Sequence, residues 1–265
     1  MKPVWPTILF MVAVHILAVV ALQPQYWSWG AVGVLLTLYW VTACLGVTLG
    51  YHRLLSHRAF RVPKWLERFF ATCGSLSAEY GPITWSGIHR QHHKFSDTDL
   101  DPHDMNKGFW WSHILWMMVE VPAEKNVGQY SVDLGKDPYY RWLDKWFLFL
   151  QIPLGLLLYS IGGWAFVLWG IPLRLMLVYH ITWQVNSATH TWGNQPFESN
   201  DNSRNNWWVA ALAFGEGWHN NHHAFPSSAK QGLLPGQIDI TWYHVVLLKR
   251  LGLAKDIWDH KKKIK

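Results

Sequence analysis

AVGVLLTLYWVTACLGVTLGYHRLLSH, residues 31–57, joins an apolar run of membrane-spanning length, Ala31 to Leu49, to two histidines, His52 and His57. A helix of about twenty apolar residues crosses the hydrocarbon core of a bilayer. The stretch therefore predicts a transmembrane helix with imidazoles just past its end. Outward from it, Thr7 to Leu22 is a second apolar run interrupted only by His15, and Gln23 to Gly30 is a short connection. Together they read as a helical hairpin. A cleaved leader needs a basic start and a small-residue cleavage site; Lys2 is the only early charge and Gln23-Pro24-Gln25 is no such site, so the first run is expected to stay.

A second apolar pair, Trp146 to Ser160 and Trp164 to Val185, is split by Ile161-Gly162-Gly163, where adjacent glycines suit a tight turn. The expected fold is all-α and integral to the membrane: four transmembrane helices (about 7–22, 31–49, 146–160 and 164–185) in two hairpins, plus a helical cap. The connections 23–30 and 161–163 lack Lys and Arg, whereas Arg53, Arg58, Arg61, Lys64 and Arg68 follow the second span. The positive-inside rule then puts the cap, 51–145 and 186–265, in the cytosol. Nothing in 1–265 resembles a linker, so one domain is expected. Trp65 to Ser77, Phe109 to Val119 and Trp207 to Phe214 read as interfacial helices or as ordinary packed ones. Arg174 lies inside the fourth run and demands a partner that the sequence does not name.

Composition agrees with this division. Half the residues are hydrophobic, yet the mean hydropathy is near zero, so apolar segments alternate with a large polar part. Twenty tryptophans suit a membrane interface. Cys44 and Cys73 make no disulfide framework and no CxxC motif. The net charge of +6 comes without the interleaved basic and aromatic patch of a nucleic-acid binder, so no nucleic-acid partner is expected. The basic tail Lys261, Lys262, Lys263, Lys265 reads as a solvated end, with contact to anionic headgroups the alternative.

Three histidine clusters dominate the polar part: His52 and His57 in HRLLSH, His89, His92 and His93 in HRQHH, His219, His222 and His223 in HNNHH. Positions i, i+3 and i+4 share a helical face, so each HxxHH box can present three imidazoles in one direction. His190, with Asn186 one turn earlier, follows the fourth span. A zinc site uses three or four ligands, so nine histidines imply two ions; imidazole alone does not choose among Zn, Cu, Fe and Ni. No HExxH, Ser/His/Asp order or phosphate loop is present, and Gly215-Glu216-Gly217 is a poor nucleotide motif. Asp97, Asp99, Asp101 and Asp104 read as a solvated loop pairing with Lys94 and Lys107 rather than as oxygen ligands.

These boxes, with HKFSDTDLDPHD (93–104), NSATH (186–190) and GEGWHNNHHAFP (215–226), resemble the membrane-bound fatty-acyl desaturases of the Δ9 (stearoyl) branch over nearly the whole chain. The nearest resemblance is to cyanobacterial and plastid-type members without a fused cytochrome b5 domain. It implies an oxidoreductase acting on paired donors, with two iron ions, Fe2+ when reduced, and O2 as co-substrate, reduced to water. His52, His57, His89, His92, His93, His190, His219, His222 and His223 would bind iron, with Asn186 holding one ion through a water. Trp85, Thr182 and Trp183 would line a kinked acyl tunnel. Unactivated methylenes offer no proton that a side-chain base can remove, hence the redox metal.

The resemblance further implies a cis Δ9 double bond in saturated C16 or C18 chains. CoA-using animal members carry a basic and an acidic residue just before the second box; here Gly87 and Ile88 stand there, and Val119 and Glu120 lie near the place of a later basic pair. That favours a chain esterified to a glycerolipid over acyl-CoA. A separate electron donor is implied, ferredoxin rather than cytochrome b5, and a plasma or thylakoid membrane if the source is cyanobacterial. The alternatives are a His-box hydroxylase or ketolase and a non-catalytic metal-binding membrane protein. Tyr39 and Trp40 are candidates to cap the far end of the tunnel.

Overall fold

The structure, a computed structural model, describes residues 1–260, the side chains of 122–125 excepted; the lysine tail lies outside the described residues. Among these residues the fold is helical, with only isolated β-bridges. Helix α1 (Trp5–Ala21) is apolar along its length and starts with Pro6, whose missing N–H costs nothing in a first turn. Ser28 caps α2 (Trp29–Tyr39) by accepting from the Ala31 N–H at 3.0 Å.

The helix does not stop at Leu49. From Trp40 to Ser56 its winding widens to π-type hydrogen bonding and runs on through the first histidine box, making one helix of 28 residues, Trp29–Ser56. The bond from the His57 N–H to the His52 carbonyl (3.1 Å) is of the i→i+5 type. Helix α3 (Lys64–Ser75) lies directly against this segment. A Cβ on Gly46 would sit 2.4 Å from the Cys73 carbonyl carbon, and one on Gly50 2.9 Å from the Phe70 oxygen, so two glycines four apart let the backbones touch. One face of α3 is thus packed while Trp65 and Phe69 stay exposed.

The second box rides on α4 (Pro82–Phe95). The aromatic segment after it is shorter than the sequence suggests: α5 (Phe109–His113) ends at Ile114, where φ is −145°, and a tight turn, Leu115–Met118, follows. Beyond α6 (Val132–Gly135) and α7 (Pro138–Trp146), the turn Phe147–Leu150 leads into α8 (Gln151–Leu168). Helical geometry breaks at Gly162 and Gly163, the latter at φ +62°, and Gly155 and Leu158 then pack against Ile171 and Gly170. The chain therefore reverses at the glycine pair. Two helical stretches, Trp29–Ser56 and Pro138–Thr191, are long and apolar enough to cross a membrane; Trp5–Ala21 is a shorter apolar helix.

Helix α9 (Arg174–Thr191) brings Arg174 to full burial. Its guanidinium donates to the Gly170 carbonyl (3.0 Å), to Gln151 Oε1 (2.9 Å) and to the Leu76 carbonyl. The partners are neutral acceptors, which spares the fold a second buried charge. Helices α10 (Trp207–Leu212), α11 (His219–Ala224) and α12 (Ile240–Arg250) complete the chain, α10 and α12 capped by Asn206 and Asp239.

Candidate metal centre

His52 and His57 are five residues apart, which on an α-helix would set them about 140° apart around the axis. The wide winding corrects this. Because i→i+5 bonding stacks residue 57 above residue 52, the two rings lie 4.8 Å apart, centroid to centroid.

Nine imidazoles converge here, and they sort into two groups: His52, His57, His89, His93 and His222 in one, His92, His190, His219 and His223 in the other, the ligand atoms of each within 4.8 Å of one another. Each HxxHH box divides its imidazoles between the two groups. In α4 the i and i+4 residues, His89 and His93, join the first group while His92 at i+3 joins the second. In α11 the assignment is exchanged: His219 and His223 join the second group, His222 the first. A helical face is broad enough for one box to straddle two centres. Nε2 atoms meet at short range: His57 and His89 at 2.7 Å, His93 and His222 at 2.8 Å, His52 and His222 at 3.0 Å, His190 and His219 at 3.1 Å.

Carboxylates hold the opposite edges of four rings. His92 Nδ1 faces Asp101 at 2.8 Å, His190 Nδ1 faces Asp97 at 3.2 Å, His223 Nδ1 faces Asp201 at 2.6 Å, and His52 Nδ1 contacts Glu216. A ring that donates its Nδ1–H to a carboxylate keeps a lone pair on Nε2. Nε2 of His92 and Nε2 of His223 face each other across 3.4 Å. The carboxylate behind each ring is the backing that metal-bound histidines use, and it leaves Nε2 as the atom that would face a cation. His57, His89, His93, His219 and His222 are held far below the ordinary imidazole range, by burial first and then by neighbouring imidazoles, so they are neutral, the ligating form. The donor set fits two metal ions.

Two readings of the sequence need correction. Asp97 and Asp101 are not solvated loop charges: Asp101 is 1 % exposed, and both back imidazoles. Asp99 is the exposed one, 3.9 Å from Lys107, and Lys94 lies over the rings of Phe95 and Tyr130 instead of pairing with aspartate. Glu216, part of a poor nucleotide motif, is buried between His52 and Arg53; burial pushes its carboxyl up, but the contacts with the Arg53 guanidinium and the His52 ring outweigh this and hold it down at about 2. Asp201 carried no sequence signal at all, because its partner His223 is 22 residues away.

Beneath the histidines lie two cavities. The larger, about 220 Å³, is walled by Trp85, Thr182, Trp183, His89 and Asn186. The smaller, about 50 Å³, shares Trp85, Thr182, His89 and Asn186 and extends between Ala43 and Val47 on one side and Ile181 and Val185 on the other. Past its end Tyr39 donates to the Leu212 carbonyl (2.8 Å) and packs on Phe214, while Trp40 donates to His244 (3.2 Å). Sequence reading missed Glu79. Its carboxyl lies in the wall of the larger cavity, hydrogen-bonded by Thr182 and Trp85, and Oε1 has no partner. Burial pushes its pKa up to about 8. The flanking Ala78 and Tyr80 both have positive φ, +58° and +72°, strain of the kind that clusters at functional sites.

Paired imidazole groups over an apolar cavity, carried by apolar helices, define a helical protein built to hold metal beside a hydrophobic ligand. The fatty acid desaturase family model matches residues 5–258, and the chain belongs to this family of oxidoreductases. It is 53 % identical over 257 residues to an sn-1 stearoyl-lipid 9-desaturase of Synechocystis, covering 97 % of this chain and 81 % of that one. It is 50 % identical over 257 residues to an sn-2 palmitoyl-lipid 9-desaturase of Nostoc (96 % and 90 % covered). An acyl-CoA C20 Δ5-desaturase of Anemone leveillei is 45 % identical over 252 residues (94 % and 80 %).

Proposed function

We propose that this chain is an O2-dependent acyl-lipid desaturase that places a cis Δ9 double bond in saturated C16 or C18 chains of membrane glycerolipids. The observation that carries it is the pair of imidazole groups, with ring nitrogens converging directly above an apolar cavity, in a chain about half identical to 9-desaturases of lipid-bound acyl groups. His52, His57, His89, His93 and His222 would hold one iron, and His92, His190, His219 and His223 the other, with Asn186 contributing through a water. Bound iron supplies O2 activation and the removal of hydrogen from unactivated carbon. The chain's own residues do the rest: Trp85, Thr182 and Trp183 fix the acyl chain beneath the histidines, and the four carboxylates fix the rings. Glu79, kept neutral by burial, leaves the cavity wall without charge.

In this reading the whole chain is one domain with four spans, its cap and site lie on the cytosolic side, and a separate protein, ferredoxin, supplies two electrons. Acyl-CoA is the second reading, favoured by the Anemone relative. Against it, a Cβ at Gly87 would lie 2.5 Å from the Val127 carbonyl oxygen, so the position where CoA-using members carry a basic residue has no room for one, and Ile88 is buried in the cavity wall.

The test is expression in a host with a compatible ferredoxin, with double bonds located by mass spectrometry in each lipid class. A Δ9 alkene confined to glycerolipids is expected, and is lost in His89→Ala and His222→Ala. An alcohol product would make the chain a hydroxylase, alkene in the acyl-CoA pool would move the substrate, and active protein with zinc but no iron would overturn the metal assignment.

A further inference from the structure

The larger cavity ends where α1 and α8 begin. At its inner end stand Trp85, His89 and Asn186; at its outer end its walls are Pro6 and Thr7 in the first turns of α1, and Phe147 and Leu148 in the turn before α8. Pro6 is exposed and Leu148 is 41 % exposed, so the same residues wall the cavity and form the outer surface of the molecule. Around them Trp5 (61 % exposed) and Phe149 (55 %) present aromatic faces outward, at the ends of two apolar helices where a membrane interface would lie. Among the described residues, no lysine or arginine side chain lines the cavity.

We propose that the acyl chain enters this cavity sideways from the bilayer, through a slot between the first turns of α1 and the Phe147–Leu150 turn. The proposal rests on the acyl-lipid reading above and adds the route. A chain esterified to glycerol is tethered at the depth of the ester, so it enters a protein only through an opening at that depth. The slot lies there, between helix starts on the cap side. An acyl carrier with phosphates would need cations at the mouth, and among the described residues the wall offers no lysine or arginine. A neutral, apolar rim suits instead a lipid whose headgroup stays in the interface while one tail swings in.

Two measurements test the slot. In the first, the iron-loaded enzyme is placed in vesicles containing a diacyl galactolipid with a diazirine at carbon 3 of its stearoyl chain, and irradiated. Adducts are expected in peptides spanning 5–10 or 147–150 and should fall at least fivefold with excess unlabelled lipid; adducts confined to the cap surface around Arg58 and Arg61 overturn the proposal. In the second, Leu148→Trp narrows the slot. With ferredoxin as donor, alkene formation from vesicle lipid should fall at least tenfold while iron content and Tm stay at the wild-type values; wild-type turnover sinks the slot. If the wild-type enzyme itself forms no alkene from any acyl lipid, the acyl-lipid reading fails, and the cross-linking still decides the route.

Discussion

Glu216 accepts from His52 on one oxygen and from Arg53 on the other, with Gln231 adding a donor at 3.0 Å. It sets the tautomer of a ring in the first histidine group without facing the metal side. Glu216→Gln should therefore weaken iron binding about 10–100-fold while the helical content by circular dichroism is kept; iron affinity equal to wild type would show that Glu216 only balances Arg53. Glu79 makes a different prediction. Its folded pKa, about 8, lies above the ordinary 4.5, so folding favours the protonated form. The stability it allows is fully present below about pH 4.5 and is lost as pH rises through 8. Glu79→Gln should flatten that part of a Tm-versus-pH profile in detergent, and an unchanged slope would place the titration elsewhere. At this scale the histidines were legible because three boxes announce themselves by spacing. Glu79, Glu216 and Asp201 were not, since an isolated carboxylate acquires its role only from a partner brought near by folding.

The helix that carries the first box depends on its packing against α3. Placing a leucine at Gly46 would drive a side chain into the Cys73–Gly74 backbone, so Gly46→Leu should cost about 1–3 kcal/mol or more, read as a lower Tm and loss of iron together. Retention of both would mean that α3 can move away freely. Apolar runs gave the positions of the long helices well, and the break at Gly162–Gly163 falls at the glycine pair. The wide winding of residues 40–56 was invisible: the same apolar residues serve an α-helix, and only the convergence of His52 with His57 reveals the extra residue per turn. The aromatic segment after 109 reads as a longer helix than the Phe109–His113 it forms, because aromatic content signals burial but not where a helix stops.

For the molecule as a whole, sequence patterning separated the apolar helices from a histidine-bearing part but left undecided how nine imidazoles divide, because three residues on one helical face can serve one centre or two. The exchange of box positions between α4 and α11 has a consequence for loading. On the two-iron reading each of these helices would grip both centres, so ordering it around one ion would prepare the ligands of the other and remove part of the second ion's entropic cost. Iron uptake should then follow a sigmoidal isotherm with a Hill coefficient well above 1, and spectroscopic titration should find little of the singly loaded species. A hyperbolic isotherm with a stable half-loaded form would show the centres to be independent. His219→Ala, which trims only the second group, should on the same logic depress occupancy of both, making the pair a single thermodynamic unit.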